Sequence, residues 1–207
     1  MSETLSGLFG LVMAAMLTPG PNNILIFAVA IADGIGRAVV ASTGIAAGML
    51  VLLAFSWFGG AVIFETWQGL RLIVITAGTG YLAWLGLTMA FGSTTENGEN
   101  LSAASFSPSS FWQLAAFQFA NPKAWVLALA ATSAVQTETP GLGGLATLSG
   151  VFTAASALSL SLWIVLGRLW VGPHKSAKMT PWLIRGLGLS LFATSAALLL
   201  SVLQGGV

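Results

Sequence analysis

A chain of 207 residues that is 56% hydrophobic and 6% charged, with a mean hydropathy of +0.90, lies outside the soluble globular class. It reads as an integral membrane protein whose surroundings are the lipid bilayer. A net charge of +1 without a basic patch argues against a nucleic-acid partner, and the absence of cysteine removes disulfide, thiolate-metal and cysteine-nucleophile chemistry. The single histidine, His174, stands beside Lys175 in a hydrophilic connection, so neither a metal site nor a cofactor is expected. Glu3 falls where a cleavable signal would carry basic residues, so no signal peptide is expected.

Apolar stretches of about 20 residues are long enough to cross a bilayer as helices. Six such spans are predicted in chain order, at residues 5–32, 38–63, 68–91, 110–135, 142–166 and 181–203. The first contains Thr18-Pro19-Gly20-Pro21-Asn22-Asn23, and the fourth contains Asn121-Pro122-Lys123 near its centre. Proline inside a spanning helix removes a backbone donor and drives the preceding residue out of α geometry. Lipid cannot satisfy the groups this frees, so such a break belongs in packed protein or on a wet cavity. Residues 92–109 are polar and glycine-containing, and read as a flexible linker within a single transmembrane domain spanning 1–207.

The linker separates two three-helix halves, 1–91 and 110–207, each opening with a proline-broken span and closing with one entered by an arginine, Arg71 or Arg185. Three spans per half invert the second half relative to the first. The fold class expected is therefore all-α, six transmembrane helices as two inverted repeats, with a site at their interface. The competing reading is chance similarity between apolar segments. Arg37, Arg168, Lys175 and Lys178 fall on one side of these spans, which places the odd-numbered connections in the cytoplasm and both termini outside.

Lys123 is the costliest residue, since a lysine at a helix centre is penalised by roughly 2.5 to 3.5 kcal/mol on insertion scales. At 1.5 Å per residue it lies about 18 Å from either end of its span. Its ammonium is expected to meet a substrate carboxylate or to exchange a proton; the alternatives are satisfying carbonyls freed by Pro122 or snorkelling to an interface. Asn22, Asn23, Gln118 and Asn121 carry both donors and acceptors, as a zwitterion requires, although interhelical bonding is a competing role. Pro19, Gly20 and Pro21 would contribute backbone, with the half-helix beginning near Asn22 directing free amides at an anion. Asp33 and Lys123 are the candidates for proton coupling, with an ordinary Asp33–Arg37 ion pair as the bland alternative. Gly44 with Gly48, and Gly150 with Ala154, have the small-xxx-small spacing of close helix contacts, and Gly78, Gly80 and Gly86 are expected to act likewise. Trp125, two residues after Lys123, is a candidate for the cavity wall.

Taken together and in order, Thr18-Pro19-Gly20-Pro21-Asn22, Gly36-Arg37 with Gly44 and Gly48, Gly80-Tyr81-Leu82-Ala83-Trp84-Leu85-Gly86, and Asn121-Pro122-Lys123-Ala124-Trp125 resemble the LysE/RhtB family of amino-acid exporters. The resemblance covers most of the chain. It implies a bacterial inner-membrane exporter of small amino acids, driven by the proton motive force and often a homo-oligomer, with both proline motifs in its transport core. One arginine follows Gly36 where the family frequently has a basic pair, and the linker lacks lysine and arginine, which favours a neutral substrate. The remaining alternatives are a cation or metal exporter and a membrane assembly subunit that transports nothing. No nucleophile with a matching base suggests an enzyme.

Overall fold

The computed structural model describes residues 2–91, 110–171 and 181–203, and the elements within them are helical. The linker expected at 92–109, and the connection holding His174, Lys175 and Lys178, lie outside the described residues. Helix α1 covers Ser2–Leu17 and α2 covers Pro21–Ala32, joined at a bend of 56°. The bend is local chemistry: Pro19 and Pro21 have no N–H to continue the ladder of α1, while Pro21 suits the first turn of α2, where a missing N–H costs nothing. Gly34, at φ 86°, makes the tight turn into α3, Ile35–Phe55.

The second span is not the single helix expected over 38–63. It opens into a π segment at Ser56–Gly60, where Gly59 adopts φ 117°, before the short α4, Ala61–Thr66. Gln136 Nε2 donates to the Trp57 carbonyl at 2.7 Å and so accepts part of the loosened ladder. Helix α5, Gln68–Phe91, follows the expected bounds. The fourth span divides into α6, Phe111–Ala120, and α7, Pro122–Glu138, with Asn121 alone between them. Helix α8 runs from Leu142 to Val171, beyond the expected end at 166, and α9 covers Pro181–Leu203.

Among the described residues, three stretches are long and apolar enough to cross a membrane, Ile35–Gly60, Leu72–Phe91 and Leu142–Trp170, and the bent α1–α2 pair makes a fourth if it crosses as one. Helix α5 packs most extensively on α9. Helix α3 packs on α6 and α7, α8 packs on α1 and α2, and α3 meets α8 between them. One hydrophobic cluster, including Val12, Leu52, Ala128 and Phe152, joins α1, the later half of α3, α7 and the early half of α8. A second, including Ile26, Ala41, Leu114 and Ile164, joins α2, the early half of α3, α6 and the later half of α8. The two proline breaks therefore lie between the clusters.

In lipid, such packing relies on close fit rather than on expulsion of water. Gly44 and Gly48 supply it: a Cβ at either position would overlap backbone of α6, at Phe111 and Ala115 respectively. Gly86 and Gly188 do the same between α5 and α9. Gly78 fits against the Ala120 carbonyl, whereas Gly80 and Gly150 have no neighbour within 4 Å of a Cβ. Gly150 and Ala154 are exposed, so the shared motif does not pack them within this chain. Gly48→Leu is expected to force α3 from α6 and cost about 1 to 3 kcal/mol or more, while Gly150→Leu changes stability little. The yield and thermal midpoint of monodisperse protein in detergent would check this, and equal loss in both variants would contradict it.

Candidate functional site

The break in the first span leaves carbonyls that a continuous helix would have satisfied. Pro19 cannot bond the Ala15 carbonyl, and Thr18 Oγ1 donates to it instead at 2.7 Å. The Met16 carbonyl accepts from Asn23 Nδ2 at 2.6 Å and from Ser159 Oγ of α8 at 2.8 Å. The Thr18 carbonyl accepts from Asn23 Nδ2 at 3.0 Å. Asn23, 4% exposed, thus stitches the end of α1 to the start of α2 with both of its amide hydrogens.

The second break is repaired by its own residues. Asn121 caps α7, its Oδ1 accepting from the Lys123 amide at 3.1 Å, and its amide donates to the Gln118 carbonyl at 3.2 Å. The Phe119 carbonyl accepts from Trp125 Nε1 at 2.9 Å. Trp125 is buried and does not line the cavity, contrary to the sequence-based expectation: its indole satisfies the broken backbone.

The two breaks then join. Lys123 reaches from α7 to the first break, donating from Nζ to Thr18 Oγ1 at 2.8 Å and to the Thr18 carbonyl at 3.3 Å. It lies over Gly20, where a Cβ would come 3.1 Å from Nζ. Asn22 and Gln118 form a reciprocal amide pair, 3.0 Å in each direction, and Asn121 Nδ2 donates to Asn22 Oδ1 at 3.3 Å. Gln118 also donates to the Leu114 carbonyl at 3.2 Å and is fully buried. It braces Asn22 from behind and is not on the cavity wall.

Between the breaks lies a cavity with about 500 Å³ of space free of protein atoms, counting its open mouth. Gly20, Pro21, Asn22 and Asn23 line it from the first break, and Asn121, Lys123, Ala124 and Leu127 from the second. Ile45 and Met49 of α3 and Ser156, Ser159 and Leu160 of α8 close the remaining sides. Pro19 and Pro122 shape the breaks without lining the cavity, and Asp33 is exposed at the C-terminal end of α2, away from it. Sequence reading missed Thr18 as the acceptor for Lys123, and missed Ser156 and Ser159. The wall has one charge among the described residues, Lys123, and no carboxylate. Helix α2 adds a positive end, because Gly20 offers no side-chain cap to its first amides. Among the described residues no three His, Cys, Asp or Glu side chains gather as a metal site.

A cavity lined by two broken helices in a bundle of membrane-crossing helices defines the transporter class of membrane protein. The family model described as LysE type translocator matches residues 13–202, and the chain belongs to that family. It is 37% identical over 71 residues to the leucine efflux protein of Enterobacter sp. (strain 638), 34% of each chain. It is 32% identical over 111 residues to the leucine efflux protein of Klebsiella pneumoniae, 53% of this chain and 52% of that protein. The match thus spans a third to a half of these two relatives. Over 170 residues it is 29% identical to the cysteine/O-acetylserine efflux protein of Escherichia coli K12, 80% of this chain and 83% of that one. No solved structure matches the chain.

The amide pair provides a direct test of the bracing. Asn22→Leu should destabilise the protein by about 1 to 3 kcal/mol by leaving the buried Gln118 Oε1 without its donor, and Gln118→Leu by less, because Asn22 faces the cavity and keeps its bond from Asn121. The double variant should lose less than the sum. Thermal unfolding of all four proteins in detergent reads the coupling, and strict additivity would mean that the two side chains do not interact.

Proposed function

We propose that this protein exports a small neutral amino acid or related zwitterion across the bacterial inner membrane by alternating access, driven by the proton motive force. One observation carries this reading: Lys123 and the uncapped start of α2 both present positive charge to a cavity whose wall has no carboxylate among the described residues. A guest carboxylate neutralises both and a guest ammonium balances it. The names of the relatives, leucine efflux and cysteine/O-acetylserine efflux, agree with amino-acid export. A dibasic guest finds no acidic partner here, and an acidic guest has one cation for two carboxylates.

Six spans arranged as two inverted halves are the frame we infer for this cycle. The packing supports it, because the second span of each half rests on the broken span of the other, and the last spans of the halves rest on each other. The cavity then lies at the repeat interface, with both termini in the periplasm. Lys123 is the proton-exchanging candidate that faces the guest, and Asp33, distant from the wall, is the candidate for a peripheral step. A metal exporter would need carboxylate, histidine or cysteine ligands that the described cavity wall does not offer, and an assembly subunit would need no cavity.

Lys123→Met is expected to insert normally and to reduce export at least tenfold, which corresponds to loss of about 1.4 kcal/mol of binding to an anion. Gly20→Ala tests the same geometry without changing charge. Its backbone, φ −164° and ψ 177°, suits any residue, yet the added methyl would press on the Lys123 ammonium. We expect several-fold slower export with unchanged folding. Efflux from dipeptide-loaded cells, with and without an uncoupler, measures substrate and driving force together. Normal export by Lys123→Met, or export insensitive to the uncoupler, would overturn the corresponding part of the reading.

A further inference from the structure

The hydroxyls of α8 that line the cavity behave differently from most others in the bundle. A serine or threonine within a helix ordinarily donates to a carbonyl one turn back. Buried Ser56, Thr79 and Ser195 do so, to Leu52, Ile75 and Phe192. Ser156 and Ser159, 5% and 1% exposed, instead reach across to α1, Ser159 to the Met16 carbonyl and Ser156 to the Met16 sulfur at 3.7 Å. Ser156 is thus a buried hydroxyl on the cavity wall that donates to a weak acceptor and keeps its oxygen lone pairs for a donor.

Asn23 contributes the third group. Both of its amide hydrogens face carbonyls, which fixes the orientation of the amide, and Oδ1 accepts no hydrogen bond from the described residues. Ser159 has given its hydrogen to Met16 and retains acceptor lone pairs. Asn23, Ser156 and Ser159 all line the cavity and all donate to Met16, and their three neutral oxygens match in number the three hydrogens of a primary ammonium. The Thr18 carbonyl accepts from both Asn23 Nδ2 and Lys123 Nζ, so the oxygen cluster and the cation are one carbonyl apart. An α-amino acid, with its ammonium and carboxylate on a single carbon, requires that adjacency.

We propose that Asn23, Ser156 and Ser159 form an ammonium subsite, in which Ser156 keeps its hydrogen on the Met16 sulfur, accepts from the guest through its oxygen and so enforces the need for a free α-ammonium. This rests on the export reading and narrows the amide set of Asn22, Asn23, Gln118 and Asn121 to Asn23, because the polar atoms of Asn22 and Gln118 are occupied by each other.

The test is counterflow in proteoliposomes of the purified full chain, using labelled L-leucine, L-methionine or L-threonine, whichever exchanges fastest. Competitors are the unlabelled amino acid, its α-hydroxy acid and the amine lacking the carboxylate. The parent should prefer the amino acid to both analogues. Ser156→Ala should raise the half-saturating amino-acid concentration about tenfold, as for a hydrogen bond to a charged group, and leave inhibition by the hydroxy acid within twofold. Ser156→Thr should restore the preference. Ser156→Cys, similar to serine in size but a poor hydrogen-bonding group, should behave as alanine and separates polarity from volume. An unchanged preference in both the Ala and Cys variants overturns the ammonium subsite alone. A parent that exchanges none of the three amino acids overturns the export reading with it.

Discussion

The constraint on which the structure depends is that a backbone group freed within lipid must find a partner in the protein. Pro19, Pro21 and Pro122 create that demand, and the surrounding side chains answer it. Asn23, Thr18 and Ser159 satisfy the end of α1, while Trp125 and Asn121 satisfy the α6–α7 junction. Each answer brings a polar group to the same level of the bundle. Between the two hydrophobic clusters, the repaired breaks become a polar layer and the walls of a cavity.

The links between the breaks set geometry more than stability. Interhelical hydrogen bonds in membranes contribute about 0.6 kcal/mol each on average, so the Asn22–Gln118 pair and the Lys123–Thr18 contact add little beside the packing of α3 on α6 and of α5 on α9. Their larger effect is to hold each amide in one orientation. Asn22 is used on both its oxygen and its nitrogen, whereas Asn23 is used on its nitrogen alone. Adjacent asparagines thereby differ: one is a brace used on both atoms, and the other keeps its oxygen uncommitted among the described residues.

Both breaks were legible in the sequence because proline acts on its own backbone, and the bounds of α5 and α9 followed from apolar length. What remained hidden were matters of partnership. Gln118 read as a substrate group because its chemistry is the same whether it meets a ligand or Asn22; only the fold decides. Ser156 and Ser159 gave no signal, since a serine in a helix normally bonds its own backbone. Gly44 with Gly48 and Gly150 with Ala154 share one spacing, yet the first pair is buried under α6 and the second is exposed. The π segment at Ser56–Gly60 had a local sign in Gly59-Gly60, but Gln136, which supports it, lies on another helix.

The breaks are unequal in a way that bears on a transport cycle. The first spans Thr18, Pro19 and Gly20 and turns the chain by 56°, so it exposes backbone; the second is Asn121 alone, so it exposes a side chain. Lys123 joins the pair through an ammonium on a flexible stem, which rests on a neutral hydroxyl and a carbonyl rather than on an anion. Neutral partners hold an ammonium less strongly than a carboxylate does. On the export reading, an arriving carboxylate therefore takes the ammonium from Thr18 and loosens a direct link between the broken helices when the site fills. A guest can shift a conformational equilibrium only through interactions that differ between its states. Exchange of Lys123 between Thr18 and the guest is such a difference, located where the two broken helices meet.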